Sequence, residues 1–198
     1  MATEPIRREQ RGREGGALTV EFALAISLFL TLVLLLIEIS RLVYLWNTAQ
    51  EITRQAARAA SIGDFSDAAA MDALRQRAIF RDGPGPLPLG GAVDDRSVRI
   101  DYLSLSGAGQ LVPVASLPAC PLQNIVNCLN DPHGGSCVRF VRARLCQPGG
   151  DQAACLALPY RPLVALLDPL FAGATLPPSD TVAVAEALGH RAGAAGCP

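Results

Sequence analysis

The stretch Gly16-Ala17-Leu18-Thr19-Val20-Glu21-Phe22-Ala23-Leu24-Ala25-Ile26-Ser27-Leu28-Phe29-Leu30-Thr31-Leu32-Val33-Leu34-Leu35-Leu36-Ile37 is apolar after its glycine except at Thr19, Glu21, Ser27 and Thr31. Ala17 to Ile37 as a helix covers about 31 Å, the thickness of a hydrocarbon core, so one membrane-spanning helix is expected here. Glu21 shortens the strictly apolar part and is expected near an interface or paired. Ahead of the segment stand Arg7, Arg8, Arg11 and Arg13, which favour a cytoplasmic N-terminus and place everything after Arg41 across the membrane. An ordinary secretory signal has an apolar region of about 7–15 residues ending at a small-x-small site. This run is longer and leads into Ile37-Glu38-Ile39-Ser40-Arg41, which holds no such site.

The remaining composition narrows the class. The chain has 198 residues, 50% of them hydrophobic and 18% charged, with a formal net charge of −1, which argues against disorder and against a basic nucleic-acid binder. All 17 basic residues are arginine, a bias we read as compositional rather than mechanistic. Six cysteines in a chain of this size point to an oxidising compartment. The length admits one modest domain plus an appendage.

Beyond the apolar run, Leu42, Leu45, Trp46, Ala49, Ile52, Ala56 and Ala60 recur at three- and four-residue steps among polar residues, predicting an amphipathic helix that continues the anchor. No proline or glycine interrupts Ala17 to Ala60, and Ser61-Ile62-Gly63 should end the helix. Tyr44 and Trp46 lie where an interfacial aromatic belt would sit, and Glu38 and Arg41 are one turn apart and can pair. Ala23, Ser27 and Thr31 put small groups on one face of the membrane helix. A neighbouring helix could approach there, or the two hydroxyls could simply bond back to the preceding turn.

Gly16 precedes Ala17, and a cut between them would make Ala17 the first residue and Glu21 the fifth, just before Phe22. This arrangement resembles the processing site of type IV pilins and pseudopilins. Together with Val20-Glu21-Phe22-Ala23-Leu24, Glu38, Arg41 and Gln55-Ala56-Ala57-Arg58-Ala59-Ala60, it resembles the TadE-like family, the minor pseudopilins of tight-adherence (Flp) pilus systems, over about residues 12 to 62. The resemblance implies that a prepilin peptidase removes a leader, residues 1–16. It also implies that Glu21 pairs with the new Ala17 amine of the same or a neighbouring subunit, with Phe22 beside it, during assembly. The implied partners are the membrane, the peptidase, other pilins and pseudopilins, and the inner-membrane assembly platform. The alternative is a single-pass protein with a passive, uncleaved anchor and a periplasmic binding or interaction domain.

Residues 64–198 read as an extracytoplasmic domain. Asp64 to Asp67 should cap a helix over Ala68 to Phe80 that buries Met71, Leu74, Ala78 and Ile79, and the run from Asp82 to Gly91 is a break. Strands are expected at Ser97 to Ser106, with a bulge near Leu103 and Leu105, at Val138 to Leu145 and at Thr181 to Ala187, with a short helix at Pro162 to Leu167 ending near Pro169. The fold class expected is α+β: a long N-terminal membrane-spanning helix (17–37) continuing into an amphipathic stem (38–63), packed on a small antiparallel sheet with disulfide-stapled loops.

Cys120, Cys128, Cys137, Cys146, Cys155 and Cys197 are the expected disulfide cysteines. Cys137 and Cys146 cannot bridge each other across one extended strand, so each must reach a neighbouring loop. Cys128, His133 and Cys137, with Cys120 and Cys146 near in sequence, offer zinc as an alternative, although the spacings do not match paired metal ligands. We find no phosphate-binding glycine loop, nucleophile elbow or His-Glu-x-x-His motif. Asp94, Asp95 and Asp131 read as turn formers. No catalytic residue, metal, cofactor, nucleic acid or small-molecule substrate is expected.

Overall fold

The computed structural model describes residues 5–149 and 154–190, with side chains from residue 16 onward. The chain divides into two compact units, Met1–Leu42 and Val43–Pro198. The first helix, α1 (Pro5–Ile62), contributes to each. In the first unit it exposes large apolar side chains on all sides, among them Leu18, Phe22, Leu24, Leu28, Phe29 and Leu32. A helix that is apolar all round and uncovered is suited to lipid, and this one is long and apolar enough to cross a membrane.

In the second unit α1 has one buried side, made by Leu45, Ala49, Ile52, Thr53, Ala56, Ala57 and Ala60. The alanines keep that side flat enough for other backbone to approach. Trp46, counted above with the inward-facing residues, is instead 51% exposed. It lies about 100° around the helix from Leu45, off the stripe that continues through Ala49 and Ile52. The helix stops where expected. Gly63 donates its N–H to Ala59 O at 2.9 Å, and a Cβ at Gly63 would stand 2.9 Å from that same oxygen.

The last carbonyls of α1 are capped from far along the chain. Ser61 O accepts from Glu186 N (3.0 Å) and Leu188 N (3.1 Å), and Ile62 O accepts from Gly189 N (2.8 Å). This explains why the last strand is shorter than the alternation of residues 181–187 predicts: residues 186 to 189 leave the sheet to close the helix end.

Helix α2 (Ala68–Ala78) starts at Asp67, whose carboxylate accepts from Ala69 N and Ala70 N, and it buries Met71, Leu74 and Ala78 as expected. It ends before Phe80, which takes a left-handed φ of 59°. Four strands, β1 (Val98–Leu105), β2 (Leu111–Pro113), β3 (Phe140–Leu145) and β4 (Asp180–Val184), form one antiparallel sheet in the order β2-β1-β3-β4. Asp94 opens a short 3-10 turn, Asp95–Ser97, just ahead of β1. The bulge expected near Leu103 is absent: the pairing runs without a skip from Val98↔Leu145 to Leu103↔Phe140 and from Leu103↔Pro113 to Leu105↔Leu111. Leu103 and Ser104 are both buried because the sheet is covered on both faces at that point. The predicted helix at Pro162 to Leu167 is a 3-10 helix, Ala165–Leu170, which contains Pro169 rather than stopping at it.

One sheet face, with Val98, Tyr102, Val141, Ala143, Leu145 and Thr181, looks toward the stem and α2. Thr53 Oγ1 lies 2.9 Å from Thr181 Oγ1 and 3.0 Å from Ser179 Oγ. Ser179 Oγ in turn donates to Ala49 O at 3.0 Å. Tyr102 stacks obliquely on Phe65 with ring centroids 5.5 Å apart, and burial pushes its phenol pKa up to about 12. The other face carries Asp101 among three guanidiniums: Arg99 at 3.1 Å, Arg142 at 3.3 Å and Arg144 at 2.6 Å.

A third helix, α3 (Pro121–Asn130), lies where no element was expected. It is fixed to the residues before β3 by Asn124, whose Oδ1 accepts from Val138 N at 2.7 Å and whose Nδ2 donates to Val138 O at 3.2 Å. Asn124 therefore gives Val138 the two hydrogen bonds a neighbouring strand would have given. Replacing it by leucine leaves a buried N–H and a buried C=O without partners, so Asn124→Leu should cost about 2–3 kcal/mol, read as a lowered denaturation midpoint. An unchanged midpoint would show that the amide pair contributes nothing.

Candidate functional site

The residues singled out in the apolar helix form a linear site on α1. Gly16 is helical, and a Cβ there would meet nothing within 4 Å beyond the helix's own backbone. Glycine inside a helix costs about 1 kcal/mol relative to alanine, so the fold gives no reason for a glycine at this position. Ala17 follows on the same helix. One turn further, Glu21 is exposed and has no hydrogen-bond or ion-pair partner among the described residues, and Phe22 beside it is 68% exposed. The basic leader side chains before Gly16 lie outside the described residues.

Ser27 Oγ donates to Ala23 O at 2.7 Å, and Thr31 Oγ1 donates to Ser27 O at 2.8 Å. Both hydroxyls are thus satisfied inside their own helix, as the plainer of the two readings had it. They leave a narrow, polar-neutral strip on its surface. Farther along, Arg41 Nη1 donates to Glu38 Oε1 at 3.0 Å, and the pair is almost wholly buried. A carboxylate and a guanidinium removed from water tolerate that placement only as partners, which makes either one costly to remove alone.

In the second unit the cysteines resolve into bridges around one strand. Cys128, on α3, bonds Cys137, and Cys146 bonds Cys155, with Cα separations of 4.8 and 4.9 Å. Cys120 is disulfide-bonded as well, and Cys197 lies outside the described residues. Each of these two bridges joins cysteines nine residues apart and contributes about 2–3 kcal/mol. With Cys128 and Cys137 joined as a disulfide, neither supplies a thiolate, and the zinc alternative loses its central ligands. His133 instead directs Nδ1 to Leu105 O at 3.1 Å. Among the described residues there is no cluster of three or more His, Cys, Asp or Glu suited to a metal.

The site is therefore the helix, and the comparison with known families falls on it. Residues 16–58 match the family described as TadE-like protein. This segment is TadE-like. No curated protein and no solved structure gives a significant match to the chain. The TadE-like match begins at Gly16, takes in the apolar helix with Glu21, the buried Glu38–Arg41 pair and the stem through Ala57, and ends at Arg58. The family points to tight-adherence pilus assembly and to membrane-bound, pilus-related partners. The sheet, α3 and the bridges fall outside the TadE-like segment, as the resemblance over about residues 12 to 62 implied.

Helix α3 and the closure of α1 by Gly189 are among the features of the second unit missed in the sequence. Helix α3 carried a usable signal, because Pro121 sits at a helix start and Leu122, Ile125, Val126 and Leu129 follow at helical spacing. Gly189, which closes the end of α1, carried none. Nothing local marks it as the partner of a helix terminus more than a hundred residues earlier.

Proposed function

We propose that the protein is a non-enzymatic minor pseudopilin of a tight-adherence (Flp-type) pilus system. In this reading a prepilin peptidase cuts after Gly16, the helix that begins at Ala17 is held in the bacterial inner membrane, and residues 64–198 stand in the periplasm. The chain then joins, or primes, a growing pilus. Its partners are the peptidase, other pilins and pseudopilins, and the assembly platform.

The observation that carries the reading is Glu21, an exposed carboxylate with no partner among the described residues, on a helix suited to lipid and five residues after a glycine that the fold does not require. A charged side chain at mid-membrane costs about 2.5–3.5 kcal/mol on insertion scales, so it persists where it has a partner or a task. An ammonium group at Ala17 of a neighbouring copy supplies both. Ala23, Ser27 and Thr31 provide the close-approach strip for the same lateral packing. The bridges at Cys128–Cys137 and Cys146–Cys155 suit a domain presented in an oxidising space.

The absence of lysine makes the test direct, since the sequence has no side-chain primary amine. An amine-reactive tag applied to protein from cells with a matching peptidase should mark Ala17. In Gly16→Leu the tag should move upstream of residue 16, with no Ala17-terminated chain remaining. A tag upstream of residue 16 in the unaltered protein sinks the reading and leaves a passive anchor.

A further inference from the structure

The sheet face turned away from the stem carries more positive charge than its own side chains neutralise. In the register of β1 with β3, Arg99 stands opposite Arg144 and Asp101 opposite Arg142, so these side chains share that face. Asp101 Oδ1 accepts from Arg99 Nε at 3.1 Å. Its Oδ2 accepts from Arg144 Nη2 at 2.6 Å, from Arg144 Nε at 2.9 Å and from Arg142 Nη2 at 3.3 Å. One carboxylate therefore serves three guanidiniums. Asp180, across from Arg144 on β4, is exposed and makes no ion pair among the described residues. Arg99 and Arg144 already engage both oxygens of Asp101, which leaves Arg142 with the least to lose by turning outward. Its bond to Asp101 is the longest of the set, its side chain is the most exposed at 26%, and its Nε is shut off from water with no acceptor. A buried donor without a partner is costly, so an acceptor that draws this guanidinium outward relieves a penalty as well as gaining bonds.

We propose that Arg142 and Arg144 form a binding site for a phosphate group. They stand two residues apart on one side of β3, about 7 Å along the strand, so both forks can close on the same group. A guanidinium grips the oxygens of a phosphate in pairs, and the flanking strands hold both arginines near that arrangement before any ligand arrives. Charge selects phosphate over an acidic side chain. A phosphate group carries about two negative charges, which is what three guanidiniums and one carboxylate leave over among the described residues, whereas a second carboxylate supplies about half of it. Free phosphate and the phosphate monoester of a lipid headgroup offer the same chemistry, and the two are separated by experiment. The site takes no part in leader removal and stands apart from the pseudopilin reading.

The test titrates the full chain, held in phosphatidylcholine nanodiscs, with inorganic phosphate at an ionic strength kept constant by chloride, and reads binding by calorimetry. Saturable binding is expected, with Arg142→Gln weakening it about tenfold or more. Arg75→Gln, in the exposed pair with Asp72 on α2, should leave it unchanged. Asp101→Asn removes the competing carboxylate and should tighten binding severalfold, a change that loss of folding cannot imitate. Nanodiscs containing phosphatidic acid then distinguish the sources, with phosphatidylglycerol as the anionic control. Loss of the phosphate heat in phosphatidic acid alone identifies a lipid headgroup as the occupant, and an undiminished titration identifies soluble phosphate; both support the site. No saturable heat with the unaltered protein, an affinity unmoved by Arg142→Gln, or no tightening in Asp101→Asn would overturn the proposal. So would a glutamate-rich peptide that binds more tightly than phosphate, which would assign the face to an acidic protein partner instead. Because the leader is absent from these readouts, failure here leaves the amine-tag result untouched.

Discussion

On the proposed pseudopilin reading, Glu21→Ala should yield a chain that is cut after Gly16 normally but is lost from the assembled pilus fraction, by about tenfold or more. Gly16 and Ala17 are unchanged, and the carboxylate is exposed on the next turn with no partner among the described residues to disturb. Its removal eases membrane insertion, because an unpaired charge no longer has to be accommodated. What disappears, on the same reading, is the counter-charge proposed for an incoming subunit's amine. Glu21→Gln separates charge from shape: it keeps the size and the hydrogen-bonding oxygen, yet it should fail like alanine if the ion pair is the operative contact. Tagging of Ala17 reports cleavage, and the amount of mature chain in sheared pili or bound to the platform reports assembly. Unchanged piliation in Glu21→Ala would rule out the pairing, whatever the tag shows.

Gly189→Ala lowers the stability of the second unit by about 3–5 kcal/mol. Gly189 has a φ of +87°, a conformation that costs an ordinary L-residue about 1–2 kcal/mol. A Cβ built there would lie 2.5 Å from Asp64 Cβ, 2.6 Å from Asp64 Cα and 2.8 Å from Asp64 N. Two of those atoms are backbone and cannot rotate aside, so the chain must move, at a further cost of about 1–3 kcal/mol or somewhat more. The movement also loosens the Gly189 N–H from Ile62 O and uncaps the end of α1. For a unit of this size such a loss lowers the melting temperature by roughly 6–20 °C. A melting curve of the Gly189→Ala protein superimposable on that of the parent would refute the packing described at this turn.

The elements that were legible in the sequence are those defined by local pattern. The apolar run and its stem follow from unbroken helical periodicity up to Gly63. Helix α2 follows from Asp67 ahead of Met71, Leu74 and Ala78, and the centres of β1, β3 and β4 follow from alternation. The candidate site was legible for the same reason, since Gly16, Ala17, Glu21 and Phe22 are adjacent in the chain. Elements governed by distant partners were not. β2 is three exposed residues, Leu111 to Pro113, that become a strand only because β1 offers an edge. α3 has helical spacing in the sequence, but its place in the fold was not legible, because its polar side, not its apolar side, is the attached one. β4 ends early because residues 186 to 189 are drawn to the carbonyls of Ser61 and Ile62. The pairing of Cys128 with Cys137 needed the knowledge that α3 returns toward the start of β3, and that of Cys146 with Cys155 that the chain turns back past the end of β3, where Gln147 N meets Leu156 O.

The bonds that join the stem to β4 also bear on when this protein can fold. Thr53 meets Ser179 across 126 residues, and Ala49 receives Ser179 across 130. Contacts of such long sequence separation form late and slowly. While the chain is being made, Ala49 and Thr53 on the buried side of the stem therefore emerge more than a hundred residues before the β4 region that bonds them. Any chain interrupted before residue 179 would lack the Ser179 and Thr181 bonds to the stem and leave the end of α1 uncapped. The arrival of residues 179 to 189, rather than the earlier appearance of individual helices or hairpins, sets the moment at which the domain closes on its own stem.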